Sequence, residues 1–458
     1  MGPRWARSWL LLLTIGGCSS SADKGPDAPG DTADNDVADA IFEKWCPADA
    51  VAVHAWVDET IGAMSLDEKV AQMAGSSVFA HERGYYETPE DPVHGIPAFR
   101  MMDGPRGAHT ESGPATAFPV GMARGATWSP ALEAQVGEAI AAEVQAVGAN
   151  VLLAPTINVL RHPRWGRSQE TYGEDPLLLG ALGRAFVEGA QTRVLAQPKH
   201  LAVNSIEDTR LHVDVQIDDS ALHEVYLPHF REVLIEGGAA TVMAAYNHIN
   251  GPPAAESPQL LTDILRDDWG FPGAAVSDWV WAVETTDGAA NAGLDIEMPV
   301  GQHFGADLVD AVQQGTIDEA VVDAAVARIL RTKRCFGLAL GEPTLDPSLR
   351  LTPAHLDLAQ RVAERGSVLL HNDGAMPIDA GLSIAVTGRL ADVENIGDTG
   401  SSNVDAPDVS TVLEGMQTHA SDRTVMLVDE TDAAALASAD VVVVVVGLTA
   451  EDEGEDFI

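Results

Sequence analysis

The chain has 458 residues, 46% of them hydrophobic, and a formal net charge of -42 at pH 7. That length and composition can bury a large core and exclude a disordered or fibrous chain. The acidic balance excludes a nucleic-acid partner, because few basic groups are left to neutralise phosphates, and it disfavours an anionic substrate.

Residues 1–18 read as a targeting segment. Arg4 and Arg7 precede the apolar run Trp9 to Ile15, and Ile15-Gly16-Gly17-Cys18 has the pattern of a bacterial lipobox, in which Cys18 is lipidated. The alternative is an ordinary secretory signal with an incidental cysteine. The run is too short to span a bilayer, so membrane contact is expected only through the lipid. Residues 19–48, rich in Asp, Gly and Pro, read as a flexible acidic tether. The expected location is therefore outside the cytoplasm of a bacterium, on the periplasmic or outer-membrane face. Export permits a disulfide between Cys46 and Cys335, yet two isolated cysteines more often stay separate, and that is the expectation. No Cys/His spacing resembles a zinc site, and no metal is expected.

Residues 49–340 alternate helical patterns with short apolar runs. Ser65 and Glu68 form a capping box at a helix start, and Pro130 to Val147 is an Ala/Glu-rich amphipathic helix. Strand-like runs follow at Asn150 to Ala154, Val194 to Gln197, Ala240 to Ala245 and Gly273 to Ser277. This alternation predicts an α/β fold with a parallel sheet, of a length that fits a (β/α)8 TIM-like barrel. Such barrels carry their chemistry at the C-terminal ends of strands. Those ends read Lys199-His200, Tyr246-Asn247 and Ser277-Asp278-Trp279.

Residues 341–380 read as a linker and a helix from Pro353 to Leu369. Residues 381–458 begin a second domain, with strands at Ser383 to Thr387 and Asp440 to Gly447. The six valines Val441 to Val446 fit a strand buried on both faces of an α/β sandwich. Only the start of that sandwich is expected, breaking off just past a central strand.

The strand ends and their neighbours hold Asp103, Arg167, Lys199, His200, Arg210, Tyr246, Asp278 and Trp279. Glycoside hydrolysis needs this inventory: two carboxyl groups flanking the bond, donors that grip sugar hydroxyls, and an aromatic wall. Taken singly, each has a structural explanation. A pairing of Arg167 with Glu174 would account for one, and helix capping by Asp278 for another.

The order of the motifs decides between these readings. His94-Gly95-Ile96-Pro97 and Met102-Asp103-Gly104-Pro105-Arg106-Gly107 are followed by Ala115-Thr116-Ala117-Phe118-Pro119. Then come Arg161-His162-Pro163-Arg164-Trp165-Gly166-Arg167 and Tyr172-Gly173-Glu174-Asp175-Pro176. Lys199-His200-Leu201, Tyr246-Asn247 and Ser277-Asp278-Trp279 complete the series. From about Ser65 onward the chain resembles family 3 glycoside hydrolases of the β-glucosidase and β-xylosidase type. The resemblance implies Asp278 as nucleophile, with Asp103, Arg167, Lys199, His200 and Arg210 binding the terminal sugar. It places Tyr246 beside the nucleophile, where its hydroxyl orients that carboxylate, and Trp279 as an apolar wall. Nearby Arg and Lys charges are expected to hold the Asp278 carboxyl down.

The second carboxyl is implied to follow the valine strand, at Glu455, with Glu453 as the runner-up. Gly400-Ser401-Ser402 resembles a loop that reaches the sugar, which implicates Ser401. The family's N-acetylglucosaminidase branch is disfavoured, because Lys199-His200 is followed by Leu201-Ala202-Val203-Asn204. Where a cationic residue often follows the Asp-Gly-Pro segment, this chain has His109. The implied activity is exo-acting, retaining hydrolysis of terminal β-D-glucosyl residues from oligosaccharides or glycosides, without a cofactor. A β-xylosidase, a broad exo-glucanase and an inactive sugar-binding surface lipoprotein are the alternatives.

Overall fold

The computed structural model describes residues 42, 46, 49–336, 345–397, 399–420, 422–452 and 454–455. The Cys18 lipobox, nearly all of the tether, part of the linker and Glu453 lie outside the described residues.

The barrel is built from strands β1 (Tyr86–Glu87), β2 (Arg100–Asp103), β3 (Val151–Leu153), β4 (Leu195–Ala196), β5 (Thr241–Met243) and β6 (Ala274–Val276). β2, β3 and β4 run parallel, as do β5 and β6. Backbone bonds join these pieces into a ring. Leu201 N donates to Met243 O at 2.8 Å, Ala244 N to Val276 O at 2.8 Å and Ser277 N to Ile296 O at 2.8 Å. Glu297 N then donates to Met73 O at 2.9 Å, and Ser76 N to Glu87 O at 2.9 Å, which returns the ring to β1. β1 alone runs against its neighbour β2. The short return between them, bridged where Thr88 N donates to Phe99 O, is a hairpin-type link. A parallel pair would need a longer crossover.

Local sequence explains the covering helices. Ser65 caps Leu66–Gln72 with Glu68 completing the capping box, which orients the chain before the ring's first segment. Ser129 and Pro130 start the helix Pro130–Ala146, and Asp175 and Pro176 start Pro176–Ala190. These two helices meet at Gly137 and Gly189, where an added Cβ would lie 2.4 Å from Phe186 O and 2.0 Å from Ala134 O. No larger residue fits that approach. One continuous apolar core fills the barrel and the space beneath its helices, including Leu152, Val242 and Val276.

Cys46 and Cys335 are joined by a disulfide, which corrects the expectation that they stay separate. The helix Ala50–Ala63 packs on Glu319–Cys335, and this brings together cysteines 289 positions apart. The helix Pro353–Gly366 belongs to the barrel layer: Leu358 and Val362 join the main core, and His355 Nδ1 lies 2.7 Å from Glu143 Oε1.

The second domain is a parallel sheet of β7 (Ser383–Thr387) flanked by β8 (Thr424–Leu427) and β9 (Val441–Val444). Its small core gathers Ile384, Val386, Ala391 and Leu413. The valine run is not buried on both faces. Val442 and Val444 are 42% and 62% exposed, while Val443 packs on the core. The side chains of a strand alternate between faces, and among the described residues only one face of this strand is covered. No described helix is long and apolar enough to cross a membrane.

Candidate active site

The ends of the barrel strands bring the expected residues to one place. Asp103 closes β2, and its Oδ1 accepts a bond from Lys199 Nζ at 2.9 Å. Asp278 lies two residues beyond β6 and is 6% exposed. Trp279 N donates to Asp278 Oδ1 at 2.8 Å, whereas Oδ2 has no hydrogen-bond partner among the described residues. His200 Nε2 lies 3.7 Å from that oxygen. Burial pushes the Asp278 carboxyl up to about 6, against Arg210, Arg167 and Lys199, which pull it down. This corrects the expectation that the cations prevail: desolvation of the charged form is the larger effect.

His200 is buried, and burial together with Arg167, Lys199 and Arg210 keeps it well below its ordinary value, hence neutral. Its two nitrogens have different partners, Arg167 Nη1 at 3.1 Å from Nε2 and Asn158 Oδ1 at 3.2 Å from Nδ1. A guanidinium only donates, so Nε2 accepts and the proton sits on Nδ1. Asn158 fixes that arrangement. Tyr246 donates its hydroxyl to Trp279 O at 2.9 Å, so it steadies the backbone next to Asp278. Burial and the Asp278 charge push its phenol well up. Arg210 lies over the Tyr246 ring at 4.7 Å. Trp279 meets Tyr86 edge-on at 5.4 Å, and its buried indole N–H has no partner among the described residues.

Arg167 pairs with Glu170 rather than with Glu174, through two bonds of 2.8 Å. Its remaining donors cross to the second domain, to Ser401 Oγ at 3.1 Å and Glu455 Oε1 at 3.1 Å. Glu455 also accepts from Arg210 Nη1 at 3.3 Å and from Ser401 N at 2.6 Å. Burial raises this carboxyl, but Arg167, Lys199, Arg210 and the Ser401 bond outweigh it and hold the group well below the usual carboxylate range. A second domain tie runs from Arg106 Nε to Ser402 O at 2.8 Å. Sequence reasoning missed Asn158, Glu170 and Glu207. Only the spacing of Arg167 to Glu170 and of Glu207 to Arg210, three residues each, hinted at the two acids.

A cavity of about 930 Å³ is lined in part by Trp165, Gly166, Glu207 and Gly454, and so borders the turn that carries Glu455. Among the described residues, Glu68, Asp91 and His94 place possible metal-ligand atoms within 4.8 Å of one another. Their atoms serve local bonds instead: Glu68 Oε2 accepts from Ser65 N at 2.8 Å, and His94 Nδ1 lies 2.6 Å from Asp91 Oδ2.

The chain, a barrel with carboxyls and cationic donors at its strand ends followed by an α/β domain that reaches the same place, belongs to glycoside hydrolase family 3. Residues 61–332 match the family's N-terminal domain and residues 367–457 its C-terminal domain. Among its relatives is a beta-glucosidase of Rhizobium radiobacter, 35% identical over 370 residues, which are 79% of this chain and 44% of that protein. Beta-glucosidase B of Emericella nidulans is 36% identical over 70% of this chain and 38% of its own length. Among solved structures, beta-glucosidase 3B of Thermotoga neapolitana in complex with glucose superposes with a TM-score of 0.75 at 31% identity, over 83% of this chain and 56% of that one. The beta-D-glucoside glucohydrolase of Trichoderma reesei gives 0.78 at 29% identity, over 86% and 60%. The chain spans less than half the length of the two curated relatives.

Proposed function

We propose that the protein is an exo-acting, retaining β-glucosidase that releases terminal β-D-glucosyl residues from oligosaccharides or glycosides. The observation that carries this reading is the convergence of Asp278 with Asp103, Lys199, His200, Arg167 and Arg210 on the barrel, and of Glu455 from the second domain on the same two arginines.

Asp278 Oδ2, which has no hydrogen-bond partner among the described residues, attacks the anomeric carbon and forms a glycosyl-enzyme. Asp103, Lys199, His200, Arg167 and Arg210 hold the sugar hydroxyls, and the Trp279 indole forms the wall. Glu455 delivers the proton to the leaving oxygen and then takes one from the attacking water. Glu455 pairs with Arg167 and Arg210, the same arginines that grip the sugar. Sugar hydroxyls that replace it there remove its compensating charges, so burial raises its proton affinity as substrate arrives. The cavity beside Gly454 gives room to the departing group. The test is the anomer first formed from a β-glucoside, read by proton NMR. Release of β-glucose supports the reading, and initial release of α-glucose contradicts it.

The amino-terminal reading stands as a second part of the proposal: Cys18 is lipidated and tethers the exported protein to a membrane surface. Incorporation of labelled palmitate that is lost in Cys18→Ser supports this, and equal labelling of both chains rules it out.

A further inference from the structure

The loop that runs on from Asp278 is held under strain. Val280 has a φ of 67°, a left-handed conformation that a β-branched residue adopts only where its surroundings impose it. The neighbours that impose it act along the whole loop. Tyr246 donates its hydroxyl to Trp279 O at 2.9 Å, Val280 N donates to Met298 O at 3.0 Å, and Gln302 Nε2 donates to Val280 O at 3.3 Å. At the far end, Glu256 Oε1 accepts from Glu284 N at 2.6 Å, and Glu256 Oε2 accepts from Thr285 Oγ1 at 2.7 Å. A further tie is made between side chains, with His248 Nε2 lying 2.9 Å from Glu284 Oε1. Tyr246 and His248 are two residues apart, so one short stretch of chain grips this loop near both of its ends.

The second ring nitrogen of His248, Nδ1, lies 2.9 Å from Gly251 O. A peptide carbonyl and a carboxylate only accept, and a neutral imidazole has one proton to give. Both bonds are therefore made together only by the imidazolium. The surroundings favour that form. Burial lowers the proton affinity of His248, but the bonds to Gly251 and Glu284 and the charges of Glu284 and Asp214 outweigh it and raise the group above its ordinary value. Glu284 belongs to the loop itself, and Asp214 to the strand Asp214–Val215 that pairs with His248–Ile249. The other ties use backbone, amide, phenol and carboxylate groups, whereas histidine is the side chain that changes charge near neutral pH.

We propose, on the footing of the reading of Asp278 and Trp279 as parts of the sugar site, that His248 is a positioning residue: as an imidazolium it latches Glu284 and keeps the loop 279–285 ready for the sugar. The latch is complete below the titration of His248 and is lost as pH rises through it. With the latch open, the strain at Val280 relaxes by movement of the turn, the Trp279 wall shifts, and sugar binding weakens. A partly exposed ion pair contributes little, so the change is a few-fold rather than an abolition.

Competitive inhibition by glucose, with 2,4-dinitrophenyl β-glucoside as the reporter substrate, tests this on the full chain. That leaving group departs without a proton, so the titration of Glu455 does not limit the reporter. The Ki of glucose for the wild-type chain is expected to rise about threefold between about pH 7 and about pH 9. In Glu284→Gln the rise disappears and the lower Ki is kept, because a carboxamide accepts from Nε2–H and donates to bare Nε2 alike. In His248→Ala the Ki stays at the higher level at both pH values. A wild-type Ki that is the same at both pH values overturns the proposal, even if neither variant folds. A rise that persists unchanged in Glu284→Gln or His248→Ala also overturns it, since another group then titrates. Turnover of the reporter with a flat Ki leaves the glucosidase reading standing without the latch. No turnover of the reporter at either pH sinks that reading, and this proposal with it.

Discussion

Asp278 works against its surroundings. A carboxylate in a buried pocket is unfavourable, and three cations nearby do not fully offset the burial, so the group rests near 6 rather than in the usual carboxylate range. To act as the proposed nucleophile it must be ionised. The value of kcat/KM is therefore expected to rise with pH through about 6 and to level off above it, with the limb assigned to free enzyme. A limb near 4 would show that Arg210 and Arg167 prevail over burial after all. Asp278, Lys199 and His200 were legible in the sequence because each stands just beyond an apolar strand, in motifs whose order resembles one family, and Arg210 through that resemblance alone. Their partners were not. Glu170, Asn158 and Glu207 are placed by the folding of loops, and a spacing of three residues between an acid and an arginine is common on any surface.

Two short elements hold the site together. The loop Gly400–Ser402 gives its Ser401 N–H to Glu455, and a Cβ on Gly400 would stand 2.5 Å from the Glu455 Cβ. Gly400→Ala is expected to push Glu455 off the arginines and lower kcat by about 10-fold or more, with little change in melting temperature. Unchanged kinetics would mean that the loop yields. The helix Glu319–Cys335 illustrates the cost of a buried cation. Lys333 Nζ bonds Gln72 Oε1 at 2.9 Å and lies 4.8 Å from the Phe99 ring, with no carboxylate bonded to it among the described residues. Burial depresses its ammonium to about 7. In the unfolded chain it titrates near 10.4. Between about 7 and about 10.4 the unfolded chain thus binds more protons, so this residue's penalty is full below that window and fades as pH rises through it. Melting temperatures from pH 7 to pH 9 should rise more for the wild-type chain than for Lys333→Met, and parallel curves would contradict the assignment. The capping box at Ser65 and the helix from Pro130 were written in local sequence. The outer face of β9 was not: a run of valines states that the strand is apolar, while coverage of its second face depends on what packs there.

At the scale of the molecule, the barrel and the second domain meet through charged groups, Arg167 and Arg210 to Glu455, and through Arg106 to the Ser402 carbonyl. The disulfide between Cys46 and Cys335 ties the segment before the helix Ala50–Ala63 to the end of the helix Glu319–Cys335. Reduction, or Cys335→Ser, is expected to lower stability by about 2–4 kcal/mol in denaturant unfolding. No change would indicate that helix packing alone holds this seam. The barrel itself was legible because strand-loop-helix alternation leaves few topologies. The reversed β1 was hidden, since a two-residue strand in a short return carries no periodicity.

The central claim is that the Asp278 carboxylate attacks the sugar. Incubating the chain with a 2-deoxy-2-fluoro-β-glucoside bearing an activated leaving group, followed by peptide mapping, tests it most directly, because the fluorine slows breakdown of the covalent intermediate. The fluorosugar is expected on the peptide containing Ser277-Asp278-Trp279, attached to Asp278. A fluorosugar attached to any other residue would contradict the account.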